Sequence, residues 1–143
     1  MPIVSYDHTA IPTARPEEMI AFYKRLGFTV VHEDEWRRGE ARAFAFAFGD
    51  QKINVHPPAV WQDPEFILRG PSALPGCGDF CFVWQGSLDE ARTRLHDAGA
   101  EVIEGPVPRE GGRASAASPA PASTSATRMA TCSSSSCTRS RIV

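Results

Sequence analysis

Behind Pro16 the apolar residues Met19, Ile20, Phe22, Tyr23 and Leu26 recur at intervals of three and four. This predicts an amphipathic helix opened by a first-position proline and stopped at Gly27. Phe22 and Tyr23 are read as core residues of that helix rather than ligand contacts. Before it, "MPIVSYDHTAI" has the character of a strand. After it, "FTVVHE" is strand-like, "ARAFAFAF" alternates at period two, Gly49 and Asp50 mark a turn, and "QKINVH" alternates again. The charged run "EDEWRRGE" between them reads as a solvated hairpin. Prolines and glycines crowd residues 57–78, which predicts a linker with little regular structure.

The opening pattern then returns. "DFCFVW" is strand-like, and Ser87 and Glu90 have capping-box spacing. Leu88, Ala91, Leu95 and Ala98 form a helical stripe, Gly99 ends it, and "AEVIE" is a further strand. A shift of 72 residues superimposes Asp7 on Asp79, Glu18 on Glu90, Gly27 on Gly99 and Val30 on Val102. The chain is therefore an internal repeat of a strand-helix-strand-strand-strand module. The second copy runs into "GPVPREGGRASAASPAPAS" where its last two strands are due.

Composition narrows the function. A length of 143 residues suits one domain, and no apolar run is long enough for a membrane span. All 17 acidic residues precede Ala114, whereas three of the 15 basic ones, Arg128, Arg139 and Arg141, follow it. An acidic body speaks against nucleic acid as a partner. Cys77, Cys81, Cys132 and Cys137 lack paired C-x-x-C spacing and are read as free thiols. No secretion signal is recognisable at the start, so the expected location is cytoplasmic.

"DHTAIPTARPEEMIAFYKRLGFTVV", "FGDQKINVH" and "IEGPVPREGG" resemble the vicinal oxygen chelate superfamily. That superfamily includes glyoxalase I, extradiol dioxygenases and the fosfomycin and bleomycin resistance proteins. Its small bacterial glyoxalase-domain-containing members are the most similar. The resemblance implies an α+β fold in which two βαβββ modules form a cupped mixed sheet, here with the second module incomplete. It places the domain at 1–113, with module 1 at about 3–56, the linker at 57–78 and a partial module 2 at about 79–113.

Members of that superfamily close the second module with a turn close to "RDPDGN" and a strand of the type "LLEF" bearing a metal-binding glutamate. Reading possible codons one base earlier from Ala122 through Cys137 permits "VYVRDPDGNLLEFIV". The Ser/Ala-rich tail at 114–143 is accordingly expected to be an off-frame reading, irregular and poorly packed, because it has few large apolar side chains. A low-complexity stalk is the competing reading.

The resemblance also implies metal ligands on the first and last strands of each module. It nominates His8 in "DHTAI", His56 ending "QKINVH", and Asp79 in "DFCF". The third assignment is ambiguous, since the 72-residue shift maps His8 onto Phe80. Neutral imidazoles and a carboxylate suit a divalent ion such as Ni, Zn, Mn or Fe. The expected activity is that of a metal-dependent lyase or dioxygenase acting on a small oxygen-rich molecule, impaired here by the missing glutamate; no catalytic residue is assigned. The alternative is a metal-free protein that binds a bleomycin-type antibiotic. A homodimer is expected, with no nucleic-acid or membrane partner. His32 and His96, flanked by charges, read as surface residues.

Overall fold

The computed structural model describes residues 5–102, 126–130 and 141–142; for the last two segments it fixes the backbone path. The first module runs β1 (His8–Pro12), α1 (Pro16–Leu26), β2 (Thr29–Val31), α2 (Glu33–Arg37), β3 (Phe44–Phe48) and β4 (Gln51–His56). Its four strands lie in the order β1-β4-β3-β2, with β1 and β4 parallel and the other pairs antiparallel. A short helix α3 (Pro58–Trp61) follows, then β5 (Asp79–Val83), α4 (Leu88–Asp97), β6 (Glu101–Val102), β7 (Ala126–Ala130) and β8 (Arg141–Ile142). The α+β class and the paired modules are as the sequence implies.

Helix α1 begins with proline, carries Glu17 and Glu18 in its first turn and Lys24 and Arg25 in its last, and so complements its own dipole. Gly27 ends it in the left-handed conformation, at φ 100°. The helix buries Ile20, Phe22 and Tyr23 against the inward residues of the sheet: Ile11, Phe44, Phe46, Ile53 and Val55. Tyr23 stacks on Phe46 with ring centroids 4.2 Å apart and meets Phe22 and Phe28 edge-on. From the second module only Ala91, Leu95 and Ala98 are buried among the apolar side chains described. The core thus belongs mainly to the first module.

Two expectations are corrected. "EDEWRRGE" contains the helix α2 rather than a hairpin. Three acids in its first turn and Arg37 in its last suit the helix dipole. Glu33, almost fully buried, also ties Lys24 to Arg37, and Trp36 packs on Phe44. Within the 57–78 linker the one regular element is the four-residue α3, held by the indole N–H of Trp61 donating to the carbonyl of Thr13 at 3.0 Å. The tail, expected to be irregular, contributes two strands. β7 pairs antiparallel with β5, and β8 pairs with β7 and β6. The free edge of β5 offers main-chain N–H and C=O groups, and ladder pairing asks little of the side chains that answer it.

The tail strands do not reproduce the repeat. The second sheet has the order β5-β7-β8-β6, so β5 has an antiparallel neighbour where β1 has the parallel last strand of its module. Residues 103–125 and 131–140, including Cys132, Cys137 and most of the alternative "VYVRDPDGNLLEFIV" reading, lie outside the described residues. Cys77 and Cys81 are exposed free thiols.

Candidate functional site

Alternation along β1 and β4 sends Ile11, Ile53 and Val55 to the core and leaves His8, Ala10, Lys52, Asn54 and His56 on the opposite face. His8 and His56 therefore share a face. They do not share a position on it. His8 registers with Lys52, and His56 with Pro12 at the far end of β1. Four residues of strand separate the two imidazoles, roughly 13 Å at the usual strand rise.

Each imidazole has its own surroundings. The His8 Nδ1 faces the Asp7 carboxylate, and that hydrogen bond holds the Asp7 carboxyl below its ordinary range. His56 is half-buried with Phe66 edge-on to its ring at 5.0 Å, and burial lowers its pKa. Its carbonyl accepts from the backbone N–H of Thr13 at 3.0 Å, which ties the end of β4 to the end of β1.

Asp79 opens β5 in another sheet. β1 starts at His8 and β5 at Asp79, whereas α1 starts at Pro16 and α4 at Leu88. The second strand-to-helix connection is thus one residue longer. Over its first four positions the outward-inward alternation of β5 follows that of β1 with Asp79 in the place of His8, and Phe80 and Phe82 turn inward. Asp79, not Phe80, is therefore the residue of β5 that occupies the position of His8 in β1.

A divalent ion needs several donors converging at about 2.0–2.6 Å. Among the described residues no three His, Cys, Asp or Glu side chains converge in this way. Lys52 stands opposite His8, and its ammonium does not suit the immediate neighbourhood of a metal ligand. The donor set among the described residues does not fit a bound metal.

The concavity of interest lies elsewhere, between the modules. The turn after α1, the β3-β4 turn, β5 and α4 enclose a cleft of about 660 Å³. Phe28, Phe48 and Phe82 line it with mutual edge-to-face contacts, and Gln51, Trp84 and Arg94 add polar groups. None of His8, His56 and Asp79 lines it. Sequence reasoning missed this cleft because its walls come from four separate segments. Phe28, Phe48 and Phe82 read individually as ordinary inward strand residues.

Comparison with known proteins is consistent across sequence and fold. A family model described as the Glyoxalase/Bleomycin resistance protein/Dioxygenase superfamily matches residues 5–122. The chain is similar to the "Glyoxalase domain-containing protein RDO1" of Mycosarcoma maydis, 36% identical over 107 residues, covering 75% of this chain and 55% of the relative. It is also similar to the "Virulence protein STM3117" of Salmonella typhimurium, 32% identical over 106 residues, covering 73% of this chain and 67% of that protein. The chain thus spans about half the length of the first relative. Among solved structures, an integron cassette protein from the mobile metagenome of V. Cholerae superposes with a TM-score of 0.68 at 25% identity, covering 100% of this chain and 95% of that one. The crystal structure of STM3117 shares the fold with a TM-score of 0.67, covering 99% of this chain and 96% of that one. No helix among the described residues is long and apolar enough to cross a membrane.

Proposed function

Given that this chain belongs to the glyoxalase/bleomycin resistance protein/dioxygenase superfamily, we propose that it binds a small organic molecule in the cleft between its modules without a metal ion. The carrying observation is the cleft itself. Its volume of about 660 Å³ lies within the usual span for small-molecule sites, and aromatic walls with a few polar groups are the usual lining. The separation of His8 from His56, and the fact that neither lines that cleft, supports binding rather than metal-assisted turnover. The test is a thermal-shift screen of small aromatic and oxygen-rich molecules, run with chelator and then with Ni²⁺, Zn²⁺, Mn²⁺ or Fe²⁺. Chelator-insensitive stabilisation is expected; stabilisation that appears only with metal would overturn the reading.

A second reading keeps metal-dependent lyase or dioxygenase activity for an uninterrupted form of this protein, with residues 114–143 read off-frame. The observation favouring it is the strand order of the second sheet, which departs from the order that the repeat dictates. A last strand reading "LLEF" would offer an apolar partner for β5 and a further carboxylate beside Asp79. Peptide mass spectrometry of the natively expressed protein tests it. Peptides containing "DPDGNLLEF" establish the uninterrupted form, and peptides from the serine tract refute it. A homodimer remains the expected assembly, checked by sedimentation.

A further inference from the structure

We infer that the inter-module cleft takes an aromatic carboxylate that also carries a hydrogen-bond donor, with Arg94 as the residue that binds its anionic group. This rests on the cleft binding proposed above. Phe28, Phe48 and Phe82 form a closed triangle with centroid separations of 5.2 to 5.3 Å and interplanar angles of 65° to 89°. Such a cluster presents ring faces and edges to the cleft, surfaces that a flat ring complements.

The polar groups set the rest of the ligand. Arg94 lines the cleft and is exposed, and its Nη1 lies 3.4 Å from the Arg25 carbonyl, longer than a normal N–H···O bond. No carboxylate among the described residues forms an ion pair with it. Neighbouring Arg25, by contrast, uses its Nε and one Nη on the Ala98 carbonyl. The Arg94 fork retains donors for a carboxylate, the partner whose planar geometry it matches.

Trp84, also in the cleft wall, has a buried indole N–H with no acceptor among the described residues. A buried donor left unsatisfied calls for an explanation, and a ligand oxygen supplies one. Asp50 in the β3-β4 turn and Gln51 at the start of β4 line the edge of the same cleft and offer acceptors for a hydroxyl or amine. The negative charge of Asp50 also disfavours a ligand with a second anionic group. An aromatic ring bearing one carboxylate and one donor meets all of these demands.

The probes are 4-hydroxybenzoate and its neutral counterpart 4-hydroxybenzamide, titrated calorimetrically into the full chain. Alkylation of Cys81, which lines the cleft, is followed by peptide mass spectrometry with exposed Cys77, outside the cleft lining, as internal control. The acid should bind at least tenfold more tightly than the amide and protect Cys81 but not Cys77. Arg94→Gln should abolish the preference, and Arg94→Lys should restore part of it; an unchanged melting midpoint in both variants shows that the fold is intact. Equal affinity for acid and amide, or a preference that survives Arg94→Gln, overturns the carboxylate assignment while leaving cleft binding in place. If neither probe binds saturably, or Cys81 reacts at an unchanged rate, the assignment also fails. The reading beneath it falls only if the chelator-insensitive screen is negative as well.

Discussion

Replacing Arg25 by methionine should uncouple the two modules. Its Nε and Nη2 donate to the Ala98 carbonyl at 3.1 and 3.0 Å, across most of the repeat, at the C-terminal end of α4. That end is the negative pole of the helix, and Ala98 is only 1% exposed, so water cannot readily replace the lost donor. A hydrogen bond to a charged group contributes about 1.5–3 kcal/mol. Here two N–H groups share one oxygen and the arginine itself is exposed, so about 1–2 kcal/mol is the reasoned loss. Urea unfolding should show a lower midpoint with an unchanged slope, and hydrogen exchange should show earlier opening of Ala98 to Ala100 than of α1. Arg25→Lys should recover less than half, because one ammonium cannot reproduce the two-pronged contact. A loss below about 0.5 kcal/mol, or exchange that rises only within α1, would refute the coupling argument.

At Gly86, φ is +144° and an added Cβ would come within 2.8 Å of Trp84 Nε1 and 2.7 Å of Glu90 Oε2, so Gly86→Ala should cost about 1–3 kcal/mol and disturb the capping box of α4. Helicity and melting measurements check this, and a neutral substitution would contradict it. The backbone N–H of Ser87, followed by its hydroxyl, holds the Glu90 carboxyl below the ordinary glutamate value of 4.5. The folded value is the lower one, so this stabilisation is present above pH 4.5 and is lost as pH falls through the folded value. Glu90→Gln should therefore flatten the acid limb of the urea midpoint against pH, and an unchanged limb would show that the carboxylate contributes nothing.

Local rules accounted for the elements whose causes are local. Proline at the start of α1, Gly27 at its end, the period-two run from Phe44 to Phe48 and the Ser87–Glu90 box each act within a few residues. Helix α2 escaped because its stability comes from Glu33 meeting Lys24 on a different helix, a contact that charge patterning along the run cannot register. The Arg25–Ala98 link and the inter-module cleft were invisible for the same reason. Among the candidate site residues, the 72-residue repeat set His8 against Phe80, whereas the structure starts β1 at His8 and β5 at Asp79, because the second strand-to-helix connection is one residue longer. Nor could the repeat supply the register that puts Lys52, rather than His56, beside His8.

The parallel pairing of β1 with β4 has a consequence for assembly. β3 and β4 are joined by the two-residue turn Gly49–Asp50 and meet at almost no chain-closure cost, whereas β1 returns to β4 only after α1, β2 and α2 have been passed. β1 also lies at the end of its sheet, with β4 as its one strand partner among the described residues. It is therefore the last strand expected to dock during folding and the first to peel away when the native state opens. A destabilising change in α1 or in the β3-β4 hairpin would be felt first at His8, as a shorter dwell time of that side chain in its place rather than as a different place.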